Sequence, residues 1–268
     1  MDDVKSTTRT ARIVRLYHDG PLQEKHELQL NKAASHHLVT VLRARTGDQI
    51  VVFNGDGNEY HATLAELPER TLRRHATLNV SRCVAGIPDS PLSITLAQCV
   101  SRPERMDICL RQSVELGVTH IQPLYSRHSI KIGDEKKISK KQEHWRNIVI
   151  SACEQSARCT VPGVNEAIGF SDWLSACSKS EQQVLVLSPT ASLSLTQHAN
   201  TLATTLDARA LTLIIGPESG LDNDEIAAAV AHGAVAVNVG QRILRTETAG
   251  PACIAILQSI AGDLQKNR

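Results

Sequence analysis

The chain has 268 residues, 41% hydrophobic and 21% charged, with a net charge of +1. That make-up belongs to a globular protein of one large or two modest domains. Aromatics are only 3%, which argues against binding single-stranded RNA mainly by stacking bases on aromatic rings. The seven cysteines are scattered without a CxxC pair, so they read as reduced, structural thiols. No run approaches about 18 uninterrupted apolar residues, so no membrane span is expected. Met1 to Ser6 lacks the apolar core of a secretion signal, and a cytoplasmic location is expected.

In chain order, Arg12–Tyr17 reads as an edge strand and Glu27–Leu30 alternates as a strand does. Ala33–Leu42 reads as a short helix, with Leu38, Val39 and Leu42 on one side. Gln49–Phe53 is a strong strand. Asn54-Gly-Asp-Gly57 then turns the chain into Glu59–Leu67, the pattern of a hairpin. Thr77–Ser81 adds another strand. Residues 1–84 are therefore expected to form a small β domain, a barrel, and the Gly/Pro-rich stretch 85–91 a linker.

From residue 92 the period changes. Ser93–Val100 and His120–Tyr125 read as strands, and Pro103–Leu116 as a helix stopped by Gly117. Ile138–Ala157 reads as a long helix with Trp145, Ile148, Val149, Ala152 and Ser156 on one stripe. Val184–Leu187 is a buried strand ending in Ser188-Pro189. Leu211–Ile215 is another, ending at Gly216. Asp222 and Glu225 form a capping box for a helix that Gly233 would close. Ala234–Val239 is a further strand, Gly240 opens the loop after it, and Thr246–Leu264 reads as the last helix. Alternating strands and helices over 92–268 predict an α/β domain with a parallel sheet. The glycine loops after Ile215 and Val239 are expected at the carboxyl ends of neighbouring strands, where such sheets bind ligands.

The loops exclude several chemistries. There is no GxGxxG fingerprint, no Gly-Lys-Ser/Thr after Gly216, no HExxH and no Cys/His cluster for a metal. Ser219 lacks the glycine two residues before it that a nucleophile elbow needs. Glycine loops without a phosphate-binding lysine suit a small ligand held by backbone groups, such as an adenosine derivative. Basic residues concentrate mid-chain. Residues 91–160 carry 11 Lys+Arg against 7 Asp+Glu, and residues 161–268 carry 6 against 10. The lysines at 136, 137, 140 and 141 form either a solvated helix face or a rim for phosphates.

Gly216-Pro-Glu-Ser-Gly-Leu221, together with Val239-Gly-Gln-Arg-Ile-Leu-Arg-Thr-Glu-Thr-Ala249, resembles the RsmE family of 16S ribosomal RNA uracil-N3 methyltransferases in the SPOUT superfamily. Arg12–Tyr17, His37–Arg43, Phe53–Gly57 and Glu154–Arg158 with Val161-Pro162 are similar to that family's other blocks, so the likeness covers roughly residues 12–264. Ser219 departs from the family, which has a second glycine there. The resemblance implies a PUA-like RNA-binding barrel followed by a SPOUT α/β domain with a C-terminal trefoil knot. It implies S-adenosyl-L-methionine (SAM) as cofactor. It also implies a homodimer in which the partner chain completes each site, acting on 16S rRNA or the small ribosomal subunit.

On this reading the cofactor walls are Leu187, Ser188, Pro189, Gly216, Glu218, Gly220, Val239, Gly240, Arg242, Ile243 and Leu244. Arg245 is the candidate for stabilising a developing uracil oxyanion, a role Arg242 could share. Glu247 is the candidate proton acceptor. Each has a bland counterpart: the arginines as partners of Glu218 or Glu247, and Glu247 as a first-turn carboxylate favoured by the helix dipole. Arg12, Arg15, Arg43 and Arg158 are the candidate RNA contacts. Two other readings stay open: ribose 2′-O-methylation by the same loops, and a non-catalytic RNA-binding assembly factor.

Overall fold

The computed structural model describes residues 13–66, 75–130, 135–177, 182–205 and 210–265. The chain divides into two compact units. One ends at Pro88 and takes in Ala157–Thr160; the other holds Asp89–Ser156 and Val161 onward. Among the described residues no helix is long and apolar enough to cross a membrane. None of the seven cysteines forms a disulfide.

The first unit contains β1 (Val14–Tyr17), β2 (His26–Gln29), helix α1 (Lys32–His36), β3 (Gln49–Phe53), β4 (Asn58–Glu66) and β5 (Thr77–Ala85). The five strands lie in the order β1-β3-β4-β5-β2. β1 runs parallel to β3, and the other pairs are antiparallel. β1 and β2 are the two edges, so among the described residues strand pairing does not close the expected barrel. Alternation buries Tyr60, Ala62 and Leu64 of β4 against Leu78 and Val80 of β5 and Ile50 and Val52 of β3. Leu38, which follows α1, and Leu22 of the β1–β2 connection join the same cluster.

The expected helix 33–42 is only partly regular. Asn31 caps α1, its side chain accepting from Ala34 N at 2.8 Å. The chain then widens into a π-turn at His37–Val41. The wider turn keeps Leu38 buried and leaves Val41 59% and Leu42 40% exposed. No glycine is present to close the helix. The chain leaves through Arg43 in the left-handed region, at φ +56°.

The second unit contains β6 (Ser93–Cys99), α2 (Pro103–Glu115), β7 (His120–Tyr125), α3 (Glu135–Ser156), β8 (Gly163–Val164), β9 (Ile168–Gly169), α4 (Phe170–Cys177), β10 (Gln183–Leu187), α5 (Leu195–Thr205), β11 (Ala210–Ile215), α6 (Asn223–Ala231), β12 (Val235–Val237) and α7 (Thr246–Ala261). The strand order is β12-β10-β11-β6-β7-β8, with β9 also on β7, and every pairing is parallel. Apolar runs fill the central strands because both faces are covered: Leu213, Ile214 and Ile215 of β11 are all buried. Trp145, Val149 and Ala152 form the buried stripe of α3. The capping box of α6 is present in both directions, Asp222 with Glu225 N and Glu225 with Asp222 N. α7 ends at Ala261, three residues short of the expected end at Leu264.

One expectation is overturned. β11 and β12 are not neighbours, because β10 lies between them and pairs with both, Leu185 opposite Leu213 and Val235. Apolar runs identify strands but carry no information on their order across the sheet.

Candidate active site

β10, β11 and β12 run parallel, so the loops after them leave one edge of the sheet together. They enclose a cavity of about 290 Å³. Every residue expected to wall a cofactor lines it: Leu187, Ser188, Pro189, Gly216, Glu218, Gly220, Val239, Gly240, Arg242, Ile243 and Leu244. Ile215, Pro217, Leu221, Ile226, Asn238, Thr246 and Ala249 line it as well, and motif reading missed them. The lining carries one carboxylate, Glu218, and one guanidinium, Arg242. Its other walls are aliphatic side chains, the small polar side chains of Ser188, Ser219, Asn238 and Thr246, and loop backbone, a chemistry that fits an uncharged heterocycle and supplies no lysine for a triphosphate.

Local geometry holds the loops open. Gly220 sits at φ +76° with free space beyond its Cα, and a turn from Pro217 O to Gly220 N brings it there. A Cβ on Gly216 would stand 2.7 Å from Leu221 N, so the loop folds tightly on itself at that point. Ser219 lies outside the left-handed region, and its Cβ is accommodated where the family has glycine. Asn238 ties the other loops: its Nδ2 donates to Ala191 O at 2.8 Å and Leu193 O at 3.2 Å, and its Oδ1 accepts from Gly240 N at 2.9 Å. The Asn-x-Gly spacing after an apolar run was the available signal for this turn.

The residues of the candidate chemistry separate. Arg242 and Arg245 are exposed and enter no ion pair among the described residues. Arg245 is the N-cap residue of α7, beside the cavity lining but outside it. Glu247 does not face the cavity. It is 7% exposed and ion-paired with Arg105 of α2, so the carboxylate expected to accept a proton is buried against a guanidinium. The other loop is fastened to the same helix, Glu218 Oε1 accepting from Arg102 N at 2.8 Å. Ion pairs between these glutamates and Arg242 or Arg245 do not form. Arg102 and Arg105 lie more than a hundred residues away in sequence, which hides the pairing from motif reading.

The candidate RNA contacts also divide. Arg12 lies outside the described residues. Arg15 is largely buried: it pairs with Glu59 at 2.6 Å, donates to Ala157 O at 3.3 Å and lies 5.4 Å above the Phe53 ring. Its guanidinium ties Ala157–Thr160 to the sheet, a structural use for a residue expected to contact RNA. Arg43 is exposed, while Arg158 is half-buried, its backbone bridging Ile87. Lys137 and Lys140 are exposed on α3 and Lys141 is half-buried; Lys136 lies on the same helix.

A family of RNA methyltransferase domains matches residues 88–258, and a family of RNA methyltransferase PUA domains matches residues 30–73. The ribosomal RNA small subunit methyltransferase E of Buchnera aphidicola subsp. Schizaphis graminum is 32% identical over 94% of this chain and 98% of its own. The chain belongs to the ribosomal RNA small subunit methyltransferase E family. A crystal structure of a family member from Neisseria gonorrhoeae, bound to S-adenosyl methionine, is 35% identical with a TM-score of 0.82 over 95% of this chain and all of that one. A protein of Legionella pneumophila, solved with SAM as bound cofactor, is 32% identical with a TM-score of 0.85 over 94% of this chain and 99% of that one. Family membership accounts for the loop motifs, which stand in this chain where they line the cavity.

Proposed function

We propose that the protein transfers a methyl group from SAM to N3 of a uracil in small-subunit ribosomal RNA. The observation that carries this reading is one cavity built by the loops after three parallel strands, two of them glycine-bearing, in a chain whose relatives with the same fold are solved with SAM. The aliphatic walls Leu187, Val239 and Leu244 and the loop backbone fit the uncharged adenosine part. When bound, SAM supplies a methyl group already activated on a sulfonium. What remains for the chain is to place the acceptor nitrogen in line with that methyl and to favour the deprotonated base. Arg245, with Arg242 on the cavity rim, is assigned to the charge that develops on the uracil oxygens. Glu247, held by Arg105, is assigned to anchoring the first turn of α7 rather than to taking the proton.

The remaining parts follow from the same reading. The loops are threaded as a trefoil knot; β10 lying between β11 and β12, with Asn238 bonded to residues 191 and 193, supports this threading. The active unit is a homodimer in the cytoplasm, and Ile243, 84% exposed at the cavity rim, is a side chain that a partner would cover. The first unit docks the RNA, with Arg43 and Arg158 as its contacts, and the α3 lysines are assigned separately to phosphates.

Calorimetric titration of the full chain with SAM is expected to show micromolar binding. Gly220→Val should abolish it, because a β-branched residue does not tolerate φ +76°. Arg245→Ala should bind SAM normally and methylate small-subunit rRNA about 100-fold more slowly. A folded protein that binds no SAM overturns the reading. A methyl mapped to a ribose oxygen overturns the uracil N3 assignment alone.

A further inference from the structure

Gln98 is fully buried on β6, on the face it shares with Ile94 and Leu96. An amide there is costly unless it is bonded, and an aliphatic residue would pack in its place. Its bonds are specific. Nε2 donates to Thr246 Oγ1 at 3.0 Å, to Cys99 O at 3.0 Å and, more distantly, to Gly216 O at 3.4 Å. Oε1 accepts from Cys109 Sγ at 3.3 Å. Thr246, 5% exposed, donates its own hydroxyl to Gly216 O at 2.7 Å. Gly250, one turn along α7, makes room: a Cβ there would press Cys109 Sγ at 3.3 Å and stand 3.6 Å from Gln98 Oε1.

These bonds join two cavity walls that the strand order keeps apart. Gly216 belongs to the loop after β11. Thr246 opens α7 directly after Arg245. Among the described residues the Thr246–Gly216 bond is the direct hydrogen bond between these loops, and Gln98 backs it from inside the sheet. With its carbonyl turned inward to this pair, Gly216 is fixed in rotation, and so is the residue that presents Arg245.

We propose that Gln98, acting through Thr246, is a positioning residue for methyl transfer: it clasps the Gly216 loop to the start of α7 and so sets Arg245 against the cofactor. This rests on the methyltransferase reading above. Gln98 itself lies behind the cavity lining, so its loss should misplace the reacting groups more than it weakens SAM binding.

The test uses the full-length protein, SAM binding by calorimetry and single-turnover methylation of small-subunit rRNA. Gln98→Leu should bind SAM within roughly threefold of the parent while kcat falls about 100-fold, and Thr246→Val, at a residue of the lining, should show the same fall in kcat. The double variant should be no slower than the worse single one, because both changes undo one clasp. Thr246→Ser, which keeps the hydroxyl, should restore turnover. A merely structural role would lower stability and leave turnover per folded molecule unchanged, and that result overturns the proposal. So does a folded Gln98→Leu protein with near-parental kcat. If Gln98→Leu does not fold, Thr246→Val against Thr246→Ser decides alone, and equal turnover of those two overturns the clasp. Failure of the parent protein itself to bind SAM would remove the methyltransferase reading, a result distinct from any of these.

Discussion

Arg15 and Arg43 show how little an arginine's position in a motif says about its work. Arg15 spends its guanidinium on Glu59, Ala157 O and the Phe53 face. Arg43 stands exposed on a strained left-handed backbone, with Val41 and Leu42 exposed just before it. Residues 31–45 hold Lys32, Arg43 and Arg45 without an acidic residue. Arg15→Ala should therefore cost about 2 kcal/mol of stability, since it takes the guanidinium partner from the half-buried Glu59. Arg43→Gly should leave stability within about 0.5 kcal/mol, because glycine relieves the positive φ. It should lower the salt dependence of RNA binding by about 0.7 in log–log slope, the release expected from one single-strand phosphate contact. Urea melts and binding titrations across salt would read both effects. An unchanged slope in Arg43→Gly would make that arginine a solvated side chain.

Among the elements, those with a strong period were legible. β3 and β7 stand at the residues their apolar runs marked, and the capping box placed the start of α6. Two-residue strands such as β8 and β9 have no period to read, and α4 and α5 lay in stretches without a motif. Site residues were legible where glycines and strand ends announced a loop. They were invisible where the partner is remote, as with Glu247 and Arg105, or where one polar residue hides in an apolar strand, as with Gln98. The capping box also has a partner that local pattern could not supply: an Arg127 guanidinium nitrogen lies 2.6 Å from Asp222 Oδ2, and Arg127 N donates to Glu225 Oε1 at 2.8 Å. Asp222→Ala should cost about 1–2 kcal/mol, the loss of a cap rather than of an exposed ion pair alone. Thermal denaturation in moderate salt checks this, since screening would erase the ion pair and leave the cap.

For the molecule as a whole, burial of thiols sets an alkaline limit. Cys99, Cys109 and Cys253 are buried in the second unit, and burial pushes each thiol up to about 12. The unfolded chain releases these protons near pH 9, its ordinary thiol range, whereas the folded chain holds them. Their contribution to stability is full below that range and is lost as pH rises toward about 12. Urea midpoints should fall between neutral pH and about pH 10.5, and less steeply in Cys253→Ala than in the parent. Equal slopes in the two proteins would remove the thiols as the cause.

The place of β10 between β11 and β12 also fixes an order in time. β10 and β11 can pair as soon as both exist, along with β6 and β7. β12 must then reach the far side of β10, some fifty residues along the chain, and Asn238 must settle into the loop that follows β10. Such pairings require the intervening chain to be gathered first, and the β6–β11 pairing, Ser93 opposite Ala210, spans still more of it. The cavity exists only once the loops after β10, β11 and β12 are all in place. During refolding, circular dichroism should recover well before the capacity to hold SAM. An interrupted fold would be a compact protein with most of its sheet and no activity. Cells would meet that species as a silent one, since nothing in its bulk shape would betray the missing wall.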